Sequence, residues 1–181
     1  MAKYSTQNDL LLEKLLEYYH NLENLEKMLL IITGKSTISL RIIDWFVTNY
    51  SKKYFTLYDI KKENQTVCRF KIYEDYKLKL KAYSKRRFDP FCRWERIEIP
   101  YKDEKYIETT LGQLNFFKWA LENNVIDYIE KNYKDIEEDM NLRNSNSRKK
   151  ELKTRKKREE LSISAIKSIK KEDIEIVIQF N

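Results

Sequence analysis

The sequence predicts an α+β fold, a helix-dominated single domain with a small antiparallel sheet, followed by a basic linker and a C-terminal strand. Three observations lead there. Gly and Pro number only 2 each in 181 residues, too few for a turn-dense sandwich or a glycine-rich phosphate loop. Apolar residues recur at helical spacing over most of the first 140 positions, interrupted by short β-branched and aromatic runs. Charged residues reach 36% against 41% hydrophobic, leaner in core-formers than an average globular domain, so part of the chain lies outside the core. This length accommodates one domain and a tail. The expected division is a globular domain at 7–142, a basic low-complexity linker at 143–171 and a terminal strand at 172–181.

Asp9 is placed to cap an opening helix whose Leu11, Leu15, Tyr18, Leu22, Leu25, Leu29 and Ile32 form one stripe ending at Gly34. Residues 36–39 offer a second cap, and Leu40, Ile43, Trp45, Phe46 and Val47 continue at helical density to Tyr50. The two helices are expected to pack as a hairpin. Residues 55–60 and 67–73 read as a β-hairpin split by KKENQT. KLKLKAY (77–83) fits a strand by alternation and a helix by residue preference, and pattern alone does not choose. Pro90 ends what precedes it, and residues 94–99 read as a strand with Arg96 and Glu98 on one face, Ile97 and Ile99 on the other. Thr109 or Thr110 caps a helix carrying Leu111, Leu114, Phe117 and Trp119. Another follows the Asn123-Asn124 pair and runs to Met140. NLRNSNS (141–147) reads as a linker. At the far end Ile174, Ile176, Ile178 and Phe180 alternate with polar or small residues, an amphipathic strand able to dock on a sheet edge.

Charge is segregated. Residues 143–171 hold twelve basic and three acidic side chains, a net of +9 in a chain of +7, so the basic character belongs to the tail. Residues 77–96 hold eight basic residues against Asp89 and Glu95. Seven acids stand in residues 122–139.

In the tail, Arg148, Lys149, Lys150, Lys153, Arg155, Lys156, Lys157 and Arg158 form a basic arm suited to neutralising phosphates. Import and solubility are its alternative roles. No base-reading motif accompanies it, so binding should be weakly sequence-selective. The second candidate interleaves Lys85, Arg86, Arg87, Arg93 and Arg96 with Tyr83, Phe88, Phe91 and Trp94, a mixture that suits base stacking together with phosphate contact. Against it stands the reading of Phe88, Phe91 and Trp94 as core anchors around Pro90, with the arginines paired to the acidic helix after Asp127.

Catalytic and metal chemistry find no residues. Cys68, Cys92 and His20 are the whole soft-ligand inventory, short of a four-ligand zinc site. Both cysteines are expected reduced and buried as small apolar residues, and His20 has no triad-like neighbour. Neither a cofactor nor a metal is expected, and the chain reads as a non-enzyme. The longest apolar run, 28–32, is far below the ~20 residues that span a bilayer, so a soluble intracellular protein without a membrane partner is expected.

Three blocks carry a resemblance: GKSTISLRIIDWFVTNYSKKY (34–54); YKLKLKAYSKRRFDPFCRWERI (76–97) with TTLGQLNFFKWALENNVIDYI (109–129); and KKREELSISAIKSI (156–169). FDPFCR (88–93) and GQLNFF (112–117) are its specific parts. The chain resembles a family of small uncharacterised proteins of nucleocytoplasmic large DNA viruses, the giant viruses of protists. That resemblance implies a viral setting and no catalytic residue. Together with the charge it implies non-enzymatic association with viral DNA or RNA, in a virion core, a viral factory in the host cytoplasm, or the nucleus. The alternative is a minor structural or assembly protein whose terminal strand makes a homo-oligomer or joins another virion protein.

Overall fold

The computed structural model describes residues 6–61, 67–101 and 106–154, the last nine as backbone. The chain divides into a first unit, residues 1–142, and a second, residues 143–181. The first holds the core and is helix-dominated α+β, with two two-stranded antiparallel sheets among the described residues where one was expected.

Thr6 opens α1 (Gln7–Tyr19) with a reciprocal cap, its hydroxyl accepting from the Asp9 N–H while the Asp9 carboxylate accepts from its own. The expected single opening helix is broken. Asn21 adopts an extended conformation and caps α2 (Leu22–Ile32), its Oδ1 accepting from the Glu23 N–H at 3.0 Å. The apolar stripe runs straight across this break, which is why spacing alone concealed it.

Ser39 caps α3 (Leu40–Trp45), which passes through a π-helical turn (Phe46–Tyr50) into α4 (Ser51–Lys53). The wider turn is held by side chains on earlier carbonyls, Thr48 on Asp44 at 2.6 Å and Ser51 on Val47 at 3.0 Å. The expected hairpin of the first two long helices is replaced: α1 leans chiefly on α6 (Leu111–Glu122) and α2 on both α1 and α6, while the π turn and α4 pack on α5 (Ile72–Arg87).

The first hairpin pairs β1 (Leu57–Lys61) with β2 (Val67–Lys71), Asp59 opposite Arg69. Two strands alone are marginal, and here helices support them: Tyr58 donates to the Asn123 carbonyl at 2.6 Å and stacks on Tyr128. KLKLKAY belongs to a helix, α5 (Ile72–Arg87). Ile72, Tyr76, Leu80 and Tyr83 make its inward stripe at spacings of four, four and three, leaving Leu78 65% exposed, whereas a strand would put Leu78 and Leu80 on one face. β3 (Arg96–Pro100) pairs with β4 (Tyr106–Thr110), a strand the sequence reading missed. Glu98 lies directly opposite Glu108, a like-charge pair eased by Arg96, which reaches Glu108 at 2.7 Å.

Thr110 ends β4 and caps α6 (Leu111–Glu122). Leu111, Gly112, Leu114, Asn115, Phe116, Phe117, Trp119 and Ala120 of α6 are all buried, the mark of a helix packed on several sides. α1, α2, α5, β4 and the following helix all contact it, and the Tyr19 hydroxyl ties α1 to it through the Leu114 carbonyl at 2.8 Å. Past the left-handed Asn124, the expected helix to Met140 divides at Asn132 into α7 (Val125–Lys131) and α8 (Tyr133–Thr154). Asn132 caps α7 by donating to the Tyr128 carbonyl at 2.9 Å.

α8 continues through residues 141–154, correcting the expected linker. NLRNSNS contains neither Gly nor Pro, and its Asn and Ser residues cost at most about 0.7 kcal/mol each relative to alanine. Strong helix formers follow at Arg148 to Leu152. The remainder of the 143–171 segment and the terminal strand lie outside the described residues.

Candidate nucleic-acid interface

After Tyr83, the backbone of α5 turns at Ser84, whose φ of 65° and ψ of 166° break the helix. The chain then runs through KRRFDPFCRWE to Glu95, φ 36°, before β3 begins. This segment is bolted to α6. The Asn115 amide donates to the Arg87 carbonyl at 2.8 Å, and the Gln113 amide to the Pro90 carbonyl at 3.0 Å. The Asp89 N–H donates to the Gly112 carbonyl at 3.3 Å, and the Thr110 hydroxyl to the Cys92 carbonyl at 3.3 Å. Asp89 also closes its own turn by accepting from the Phe91 N–H at 2.8 Å. Gly112 permits this approach: a Cβ there would stand 2.8 Å from Cys92 Cβ and 3.1 Å from the Arg86 carbonyl oxygen. FDPFCR and GQLNFF, remote in sequence, are therefore in direct contact.

The aromatic residues divide. Phe88 is fully buried against Tyr76, Phe116 and Trp119, and Tyr83 stacks on it from the side. Phe91 and Trp94 are 48% and 52% exposed, so the reading of all three as core anchors holds for Phe88 alone. Cys92 and Cys68 are free and half-buried rather than fully buried. Cys92 donates weakly to the Arg86 carbonyl.

The basic residues divide as well. The Arg86 guanidinium covers the Trp94 ring at 4.3 Å, and Arg93 is exposed. Arg87 is half-buried and donates to Gln7 Oε1 at 3.1 Å, while Arg96 pairs with Glu108. Both of these partners stand apart from the acidic helix after Asp127, where the sequence had placed them. Lys85 is exposed and acts electrostatically on Asp44, whose carboxyl is raised by burial and then by Asp89, with Lys85 opposing both. The acids at the start of α5 are engaged away from its lysines, Glu74 with Lys71 at 3.4 Å and Asp75 accepting from the Trp119 indole at 2.6 Å.

Two clefts flank the segment. One, of about 260 Å³, lies among Asn8, Ser84, Arg86, Arg87, Trp94 and Glu95 above Leu111. The other, of about 290 Å³, includes Phe91, Arg93 and Arg96. Sequence reasoning missed Asn8, Ser84 and Glu95 as cleft residues. Asn8 comes from a distant helix, and nothing in the sequence marks the two backbone turns.

Of the tail candidates, Arg148, Lys149, Lys150 and Lys153 lie on the helical backbone of α8, while Arg155, Lys156, Lys157 and Arg158 lie outside the described residues. Ile174, Ile176, Ile178 and Phe180 also lie outside them. Among the described residues, no group of three or more His, Cys, Asp or Glu could hold a metal ion, and no helix is long and apolar enough to cross a membrane.

Residues 2–180 match the Family of unknown function (DUF7197). The chain belongs to this family. It is similar to the Uncharacterized protein L507 of Acanthamoeba polyphaga mimivirus, 46% identical over 142 residues, which cover 76% of this chain and 54% of the relative. The chain thus spans about half the length of that curated relative, and the resemblance to a giant-virus family is borne out. No solved structure matches this DUF7197 chain.

Proposed function

We propose that this is a non-enzymatic, nucleic-acid-associated viral protein that binds the phosphate backbone with low sequence selectivity, in the virion core or the viral factory. The observation that carries the reading is the 85–96 segment: a basic, aromatic stretch held rigidly by α6, with Lys85, Arg86, Arg93, Phe91 and Trp94 facing solvent. Phosphate contact requires exposed cations more than base-specific geometry. The lysines of α5 extend the positive surface, because the acids at the start of that helix are engaged with Lys71 and Trp119. Arg148, Lys149, Lys150 and Lys153 add further positive charge along the chain.

The test is the affinity of the full chain for random duplex DNA, with and without Arg86→Gln and Arg93→Gln. The double variant should bind more weakly to every sequence, and the slope of log K against log salt should become shallower by up to ~0.9 for each phosphate that is no longer neutralised. An unchanged affinity and slope would show that these arginines are not the surface.

A further inference from the structure

The cleft beneath Trp94 gathers several local conformational and polar costs in one place. Ser84 and Glu95, the residues at either end of the 85–94 stretch, are both non-glycine residues in the left-handed region, at φ 65° and 36°, and both line this cleft. Such conformations gather at ligand clamps, where surrounding structure holds them in place. Asn8, which also lines the cleft, has a buried Oδ1 that finds no hydrogen-bond partner among the described residues, another local cost. These costs coincide with a half-exposed indole carrying an arginine on one face.

We propose that this cleft takes an unpaired base of a single-stranded nucleic acid, so that the protein prefers single strands to duplex. This rests on the nucleic-acid reading above and specifies its substrate. A ring such as Trp94 offers a stacking face to any base, but only when the base is out of a duplex, where its faces are already stacked. Arg86 supplies charge over one face of the ring, leaving the other face to the base, and Glu95 on the same rim repels phosphate. The base therefore enters and the backbone stays outside, toward Arg86. On the other side of the segment, Phe91 with Arg93 offers the neighbouring nucleotide the same combination. Recognition by stacking leaves sequence selectivity low.

The test uses the full chain, a labelled oligo-dT, an oligo-U of equal length and a duplex of that length at one salt concentration, read by anisotropy. The two homopolymers report whether DNA or RNA is preferred. Wild type should bind single strands more tightly than duplex. Trp94→Ala should lower single-strand affinity about five- to 150-fold, the range for removing one base–aromatic stack, and erase the preference. Trp94→Phe should restore most of it. Circular dichroism should show an unchanged fold, since Trp94 is half exposed. Single strand and duplex bound equally well, with Trp94→Ala leaving their ratio unaltered, would overturn the inference while the phosphate-binding reading stands. No binding of any of the three probes would overturn both.

Discussion

Asp139 shows how one residue can fasten an element. It lies on α8 at 7% exposure, where its carboxylate accepts from Lys53 and from the Tyr54 hydroxyl at 3.1 Å, and on its other oxygen from the Trp45 indole at 3.1 Å. Burial pushes the carboxyl up, but the hydrogen bonds from Lys53, Trp45 and Tyr54 outweigh it and hold it below the ordinary 3.8. The folded value lies under the unfolded one. The stabilisation is therefore complete above about pH 4 and is lost as pH falls through the ordinary carboxylate range and below. Asp139→Ala removes a buried acceptor from the Trp45 indole and should cost about 1–3 kcal/mol at neutral pH. Thermal melts across pH 2–7 check it: the wild-type advantage should shrink toward the acid end, and an equal deficit at both ends would refute the assignment. In the sequence Asp139 is one member of an acidic run, with nothing to single it out. Its three partners lie some ninety residues upstream, and helix spacing says nothing about which carboxylate of a run turns inward.

At the scale of elements, the contact between α6 and the 85–94 segment decides how the candidate site is presented. A glycine in mid-helix ordinarily costs about 0.5–1 kcal/mol against alanine, so Gly112→Ala, at the second position of α6, would at most modestly stabilise a free helix. Here the added methyl meets Cys92 Cβ and the Arg86 carbonyl, and overpacking of about 1–3 kcal/mol should win. We expect a lower melting temperature together with weaker nucleic-acid binding, because Arg86 and Trp94 are displaced with the segment. A more stable protein would show that the two elements have room for a methyl group between them. Existence of most elements was legible: β-branched and aromatic runs around KKENQT marked the first hairpin, alternation marked β3, and cap residues marked α3 and α6. Boundaries governed by single Asn residues were not. At Asn21 and Asn132 the apolar stripe continues while a side chain ends one helix or starts the next. β4 escaped because Thr110 serves both as its last residue and as the cap of α6. Within the site the basic and aromatic composition was legible. Which ring is core was not, because the backbone turns around Pro90, so that Phe88 faces inward and Phe91 and Trp94 face out.

For the whole molecule, the first unit contains all the buried apolar residues among those whose side chains are described, the last of them Met140. A chain ending at residue 142 should therefore still unfold cooperatively, and circular dichroism melts check this. A broad, non-cooperative transition would show that later residues complete the core. The same truncation removes the +9 segment and should weaken duplex binding while leaving the contribution of the 85–96 segment. On the proposed function, the charge separation in the sequence corresponds to two basic regions serving one phosphate-binding role. The measurement that tests this most directly is a salt titration of the full chain on random duplex DNA between about 50 and 200 mM. If Lys85, Arg86, Arg93 and the tail contact phosphates, log K should fall linearly with log salt at a slope of about −3 or steeper, near −0.9 per phosphate. Binding that does not respond to salt, or no binding at the lowest salt, would contradict it.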